Sequence, residues 1–280
     1  MIINPQSLLA DRKETLISIA SQNELLRELL SIPSIADPVL ADLKIVPFNV
    51  NQLLYELGDK IDFVYFPVDS VVSTLAIMED GTTVETSMIG REGLVGISTI
   101  LGAGISKQWM WVTVSGNAIQ LEARLLERLF LQNETALKSL LRCYRAIVTQ
   151  VSQRCVCNTR HTIMERLCCW LLMIHDRAGG SNLRLTQELI ASRVGARRAG
   201  ITVAARMLLE MKAIDYRRGH LHIRNREVLE ATVCECYNVM RMAFKHTPPP
   251  LYHLLTINKQ ASHSRAAGIC DRDHCMNKPA

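Results

Sequence analysis

No histidine occurs before His161, and no cysteine before Cys143, in this chain of 280 residues. The catalytic signatures GxSxG, Walker A, HExxH and GxGxxG are all missing, and no nucleophile stands beside an evident base, so an enzyme is not expected. No apolar run approaches the roughly 18 residues that span a bilayer, so no membrane partner is expected. The opening MIINPQSLLADRKET lacks a basic stretch followed by an apolar core, so it does not read as a signal peptide, and a cytoplasmic location is expected. The nine cysteines are odd in number, which argues against a disulfide framework; those on helices are expected to be reduced, small apolar residues. No internal repeat of about 20–50 residues is present.

Charge is present in quantity and is unevenly spread. Residues 1–150 hold 12 Lys/Arg against 17 Asp/Glu, whereas residues 151–280 hold 20 against 10. Within 184–226 there are 10 basic and 3 acidic residues, and nine of the ten bases are arginine. Such a division predicts an acidic sensing or scaffolding half and a half that faces nucleic acid. Arginine suits forked contacts to phosphate and guanine.

The segment LTQELIASRVGARRAGITVAARMLL, 185–209, carries the strongest signal. Leu185, Leu189, Ile190 and Val194, then Ile201, Ala204, Ala205 and Leu208, recur at helical spacing on either side of a turn at Gly195. Two short amphipathic helices about a glycine predict a helix-turn-helix, although an ordinary helical hairpin with a solvated basic end has the same pattern. Ile214, Tyr216, Leu221 and Ile223 then alternate with polar residues around Arg218-Gly219, predicting a hairpin. Together these predict a winged helix on double-stranded DNA. Thr186, Gln187, Arg197, Arg198, Thr202 and Arg206 are the candidate contacts from the helices, and Arg217, Arg218 and His220 those from the wing.

Upstream, strand-like runs such as Phe63–Phe66, Val71–Ile77 and Trp111–Val114 alternate with turns including Asp80-Gly81, predicting a small all-β roll. From about Glu122 to His175 the pattern is helical. Leu137, Leu141, Tyr144, Val148, Val151 and Cys155 fall at steps of 4, 3, 4, 3 and 4. That seam fits either a helix packed on its own roll or a helix that pairs two subunits, and the homodimer is the expectation adopted. Residues 166–175 are read as a separate apolar helix, 176–181 as a loop, and 227–244 as one further helix.

A roll, a long helix and a C-terminal winged helix, in that order, resemble the Crp–Fnr family of bacterial transcription regulators. The resemblance covers roughly residues 25–245, and rests on LYELGDKIDFVYFPVDSVVS, VETSMIGREGLVG, LTQELIASRVGARRAGITVAARML and DYRRGHLHI. It implies an α+β chain with a cyclic-nucleotide-binding-like roll over 1–124, a dimerisation helix over 125–160, a winged helix-turn-helix over 161–246 and a tail over 247–280. It also implies a homodimer on an inverted-repeat operator, with RNA polymerase as a further candidate partner. Gly195 matches the family's turn glycine and Arg198 its first recognition arginine. Ala199 stands where a cytosine-reading Glu lies in cyclic-AMP-responsive members, and Val203 where their second Arg lies, so a different operator is implied.

The ligand motif departs further from the family. Nucleotide-binding members use a Gly-Glu pair and a later Arg-Ser pair. Here Gly90, Glu92 and Gly93 echo the first, and only Ser106 and Lys107 stand near the second; these five are the effector-site candidates. Cyclic AMP bound in the usual way is therefore not expected, and no cofactor is. The cysteines of iron–sulfur relatives and the histidine of heme relatives have no counterpart in the first half. Cys270 and Cys275, with Cys234 and Cys236, offer a loose zinc-like set; no metal site is adopted from that spacing. A ligand-binding module that acts through protein partners remains the alternative function.

Overall fold

The structure, a computed structural model, describes residues 14–245 apart from residue 103. Residues 14–20 are helical, followed by α1 (Glu24–Leu30) and α2 (Pro33–Asp42). Asn23 fixes α1. Its side chain caps the helix by accepting from the Leu26 amide at 2.9 Å, while its Nδ2 donates to the carbonyls of Pro67 and Gly93, both at 2.9 Å. One buried amide thus satisfies a helix end, the end of strand Phe63–Pro67 and the loop at Gly93, as a residue removed from water must.

The roll consists of β1 (Lys44–Phe48), β2 (Leu53–Tyr55), β3 (Phe63–Pro67), β4 (Val71–Ile77), β5 (Thr83–Ile89), β6 (Trp109–Val114) and β7 (Gly116–Glu122). They pair antiparallel in two sheets of order β1-β7-β3 and β2-β6-β4-β5. β3 alternates as a half-buried strand should, with Val64 and Phe66 buried. β4 does not: Val71 to Leu75 are all buried. Val72 packs in the roll's own core, whereas Val71, Met88 and Val114 belong to the core of the C-terminal helices. The second face of this sheet is covered by protein, and a strand covered on both faces loses its polar alternation.

The helical stretch from about Glu122 to His175 is broken twice, near 161, where the sequence separates the long helix from an apolar one, and also at Asn133, which the apolar pattern does not mark. α3 (Ala123–Gln132) gives way to α4 (Glu134–Arg160) at Asn133, whose side chain accepts from the Ala136 amide. α4 ends at His161, and Thr162 with Glu165 forms a reciprocal capping box that starts α5 (Ile163–Arg177). Then come β8 (Asn182–Arg184), α6 (Gln187–Val194), α7 (Arg198–Glu210), β9 (Ile214–Arg217), β10 (His220–Ile223), α8 (Arg226–Thr232) and α9 (Cys236–Ala243). The last predicted helix is therefore two, separated at residues 233–235. Between the predicted loop at 176–181 and Leu185 lies β8, to which the sequence reading gives no element and which pairs with β10 in a sheet of order β8-β10-β9. Three residues are too short a run to reveal a period in sequence. The 247–280 stretch lies outside the described residues.

Replacing Asn23 with Ala removes the cap and leaves two buried carbonyls unpaired. The expected loss is about 2–4 kcal/mol of unfolding free energy, read from urea denaturation of the full chain.

Candidate nucleic-acid interface

The helix-turn-helix forms where the glycine spacing places it. Gly195 adopts φ 67°, ψ 43°, a left-handed conformation that closes α6, and its amide reaches the carbonyls of Ala191 and Ser192. Ile190, Val194, Ile201, Ala204, Ala205 and Leu208 are buried, so the periodic apolar residues of both helices face one core. Arg197 is the N-cap of α7 and makes no side-chain capping bond, which leaves it exposed with Arg198 at the helix entrance. Thr202 and Arg206 continue the same exposed face. Arg198 lies 3.8 Å from Glu188, a loose and largely exposed pair of little energetic weight.

Thr186 and Gln187 have structural partners. The Thr186 hydroxyl accepts from the Leu189 amide at 3.2 Å, capping α6. The Gln187 Oε1 accepts from Thr202 at 2.9 Å, tying the two helices across the turn. These bonds fix the angle at which α7 is presented.

The wing is a tight hairpin. Arg218 and Gly219 take φ of 50° and 78°, the two positive values that a two-residue turn between right-twisted strands requires. Arg217, Arg218 and His220 are exposed, while Leu221 and Ile223 are buried. Burial pushes the Tyr216 hydroxyl up, with Arg198 opposing, and its O–H donates to the Leu185 carbonyl at 2.8 Å. Arg184, absent from the sequence-derived set, is exposed on β8. It sits opposite His220, which in turn sits opposite Arg217, so the three form a row across the sheet. A three-residue strand has no period of its own, so only the place of Arg184 in the basic 184–226 segment points to it.

The other side of α6 is docked on the roll. Ser192 bonds Thr83 at the start of β5, and Arg193 Nε donates to Thr113 Oγ1 at 3.3 Å. Burial pushes the Arg193 guanidinium below its usual range, with Glu85 opposing. Arg154 of α4 donates to the Arg193 carbonyl at 2.7 Å and lies 3.3 Å from Glu85 Oε1. That oxygen also accepts from Trp170 Nε1 at 3.0 Å, and Ser73 bonds the other. A buried carboxylate thus gathers the roll, the long helix, α5 and α6. A second clasp joins Glu92 of the roll to Arg177 of α5 at 2.6 Å. There Gly90 lies so close that a Cβ would stand 2.5 Å from that of Arg177.

A model of the Crp-like helix-turn-helix domain matches residues 165–232. FixK2 from Bradyrhizobium japonicum superposes with a TM-score of 0.58 at 15% identity, covering 69% of this chain and 98% of its own. A CRP-family transcriptional regulator from Thermus thermophilus gives 0.55 at 14%, covering 67% and 95%. Residues 165–232 thus form a Crp-like helix-turn-helix domain, in a chain that shares the fold of Crp–Fnr regulators. The c-di-GMP-responsive global regulator CLP of Xanthomonas campestris also superposes, with a TM-score of 0.51 at 14% identity over 67% of this chain and 97% of its own. Among curated proteins no significant match is found. The likenesses to solved structures establish the fold, and the family model establishes the DNA-binding domain. None of the chain's described helices is long and apolar enough to cross a membrane.

Within the roll, the five effector candidates are distributed as follows. Glu92 is held by Arg177 and by the Gly90 amide at 3.2 Å. Gly93 is buried, where a Cβ would press on Cys143 Sγ at 3.3 Å. Ser106 donates to the Gln108 carbonyl at 2.6 Å, and Lys107 is exposed. On α4, Leu141, Tyr144, Val148 and Cys155 are exposed and Leu137 and Val151 half-buried. The opposite face, including Ala136, Leu140, Cys143 and Ala146, is buried in the same chain.

Replacing Glu85 with Ala leaves Arg154 buried beside an empty acceptor position. The expected destabilisation is roughly 3–5 kcal/mol, with chemical denaturation as the measurement. Replacing it with Gln keeps the shape and two acceptor–donor contacts and should cost clearly less.

Proposed function

We propose that this regulator acts as a homodimer that reads an inverted-repeat operator in double-stranded DNA. The single observation that carries the reading is the exposed basic surface made by Arg197, Arg198 and Arg206 of α7 with Arg184, Arg217, Arg218 and His220 of the wing. Helix entrance and wing side chains of this kind divide into base-edge and phosphate contacts. Arg197, Arg198 and Thr202 are the proposed contacts nearest the bases, and the wing row contacts phosphate. Thr186 and Gln187 set the docking angle and reach the backbone.

The homodimer is supported by the seam on α4. Val148, at 45% exposure, and Leu141, at 47%, lie in one line with Tyr144 on a helix whose other face is already buried. Apolar knobs at heptad spacing on an unburied face suit a second copy of the same helix. Two winged domains held by such a pair address half-sites about one helical turn apart. Contact with RNA polymerase is part of the proposal and follows from the regulator class alone.

Cyclic-nucleotide binding in the usual way is not part of this reading. Lys107 is the only basic residue between 92 and 123, so the forked arginine that suits a cyclic phosphate is missing from the sequence there. Glu92, which would hold a ribose, already has an arginine partner. An effector, where one acts, shifts the chain only by binding one arrangement of roll and winged domain better than another.

Selection of bound fragments from genomic DNA, by purified protein at near-physiological salt, is the direct test. Recovery of an inverted repeat supports the reading; recovery only of unspecific, salt-sensitive binding, with and without cell extract, rejects it. Arg198→Ala should cost about 1–3 kcal/mol on the selected site and far less on random DNA. Arg184→Ala should weaken both equally and lower the salt slope by about one, measured by fluorescence anisotropy across a salt series. Val148→Glu, on an exposed face, should leave the fold intact and split the dimer in sedimentation velocity.

A further inference from the structure

Four side chains that the DNA-binding reading leaves unused converge at the far end of the long helix. Cys157 lies in the last turn of α4 and His161 is its C-cap. Cys234 lies in the break between α8 and α9, and Cys236 is the first residue of α9. Their ligating atoms all lie within 4.8 Å of one another, and the three cysteines are buried. We propose that Cys157, His161, Cys234 and Cys236 form a tetrahedral site for one structural zinc ion.

Four features of the geometry support this. Zinc–sulfur bonds of about 2.3 Å and zinc–nitrogen bonds of about 2.0–2.1 Å give tetrahedral edges of about 3.8 Å between sulfurs and about 3.6 Å between sulfur and nitrogen. Cys157 and Cys234 stand 3.6 Å apart, and Cys236 Sγ stands 3.4 Å from His161 Nδ1. The outer contacts are of the kind that orient ligands. His161 Nε2, the nitrogen turned away from the sulfurs, lies 3.3 Å from Glu235, which would hold the ring in the tautomer that leaves Nδ1 to bind. Gln153 donates from Nε2 to Cys236 Sγ at 3.1 Å, a bond that favours the thiolate.

Four protein ligands close the coordination sphere, so the ion would be structural and not catalytic. It would bind the end of the long helix to the entrance of the last helix across 77 residues of sequence, and hold the break at 161–162 where the long helix passes into the winged domain. Cys169 is a further buried thiol in the same core as Cys157 and Cys234. It lies on α5, and the proposal assigns the fourth position to His161 instead. The tail cysteines, Cys270 and Cys275, are not required.

The test uses the full chain, purified under reducing conditions without chelator, then dialysed against zinc and freed of excess. Elemental analysis should give about one zinc per chain in the wild type, in C169A and in the double variant C270S/C275S, and far less than one in C234S and H161A. X-ray absorption on the wild-type protein should give about three sulfurs and one nitrogen at the distances above, a readout that does not depend on any variant folding. Replacement by cobalt(II) should produce an intense tetrahedral visible spectrum with thiolate charge transfer. A wild-type chain that retains no zinc or cobalt after reduction overturns the site. So does zinc retained by C234S, zinc lost from C270S/C275S, or a sulfur-only shell lost with C169A. Recovery of a Cys157–Cys234 disulfide in place of metal under the same reducing conditions also overturns it.

Discussion

Glu85 is the constraint around which the described chain is arranged. A carboxylate with no solvent exposure is tolerable only where donors surround it. Here the donors come from Ser73 in the adjacent strand, Arg154 in the long helix and Trp170 in the first helix of the winged domain. Because each belongs to a different element, satisfying one charge fixes the sheet, the long helix and the winged domain relative to one another. The apolar neighbours follow. Val71, Met88 and Val114 leave the roll's core and join that of the winged domain, and so β4 is buried on both faces.

The helix breaks serve the same arrangement. Asn133 and Thr162 each place a side-chain acceptor where a new helix must begin, so the chain turns without leaving amides unpaired. Both signals stood in the sequence. The heptad seam carries on beyond neither break; an apolar repeat averages over a single capped position, so the pattern concealed the break at Asn133, while the boundary near 161 was legible as the end of the long helix and the start of a separate apolar one. The split between α8 and α9 was concealed for the same reason. In that gap sit Cys234 and Glu235, whose part in a cluster depends on a partner helix 77 residues earlier, and no local spacing reports such a distance.

Much of the fold was legible because its signals are local. The left-handed glycine at 195, the Arg218-Gly219 turn and the alternation in β3 are each set within a few residues, and each formed where the pattern put it. The candidate DNA surface was legible to the same extent, since exposed arginines at a helix entrance and a wing tip need no tertiary information. Arg184 escaped because strand pairing, not its own neighbours, puts it beside His220. The Glu85 network escaped entirely. A lone glutamate in an alternating strand reads as a solvated residue, and only the docking of a distant domain makes it a buried one.

That docking couples the roll to the helix-turn-helix. α6 is shared: at its start Thr186 caps it and Gln187 is tied to Thr202 of α7, while Ser192 and Arg193 near its end are bonded to the roll. A change in the roll that moves Thr83 or Thr113 therefore acts on the helix that sets the angle of α7, with no loop between. Turning a population from about 1:99 to 99:1 takes a differential free energy near 5.5 kcal/mol. Breaking a buried ion pair such as Glu85–Arg154 is worth about 3–5 kcal/mol. That cost applies while a separated charge stays buried and falls as the members of the network find water or new partners, so the network resists partial opening more than full release. A stronger lock would hold the winged domain against any effector of ordinary affinity; a much weaker one would leave α7 without a fixed direction before DNA is met.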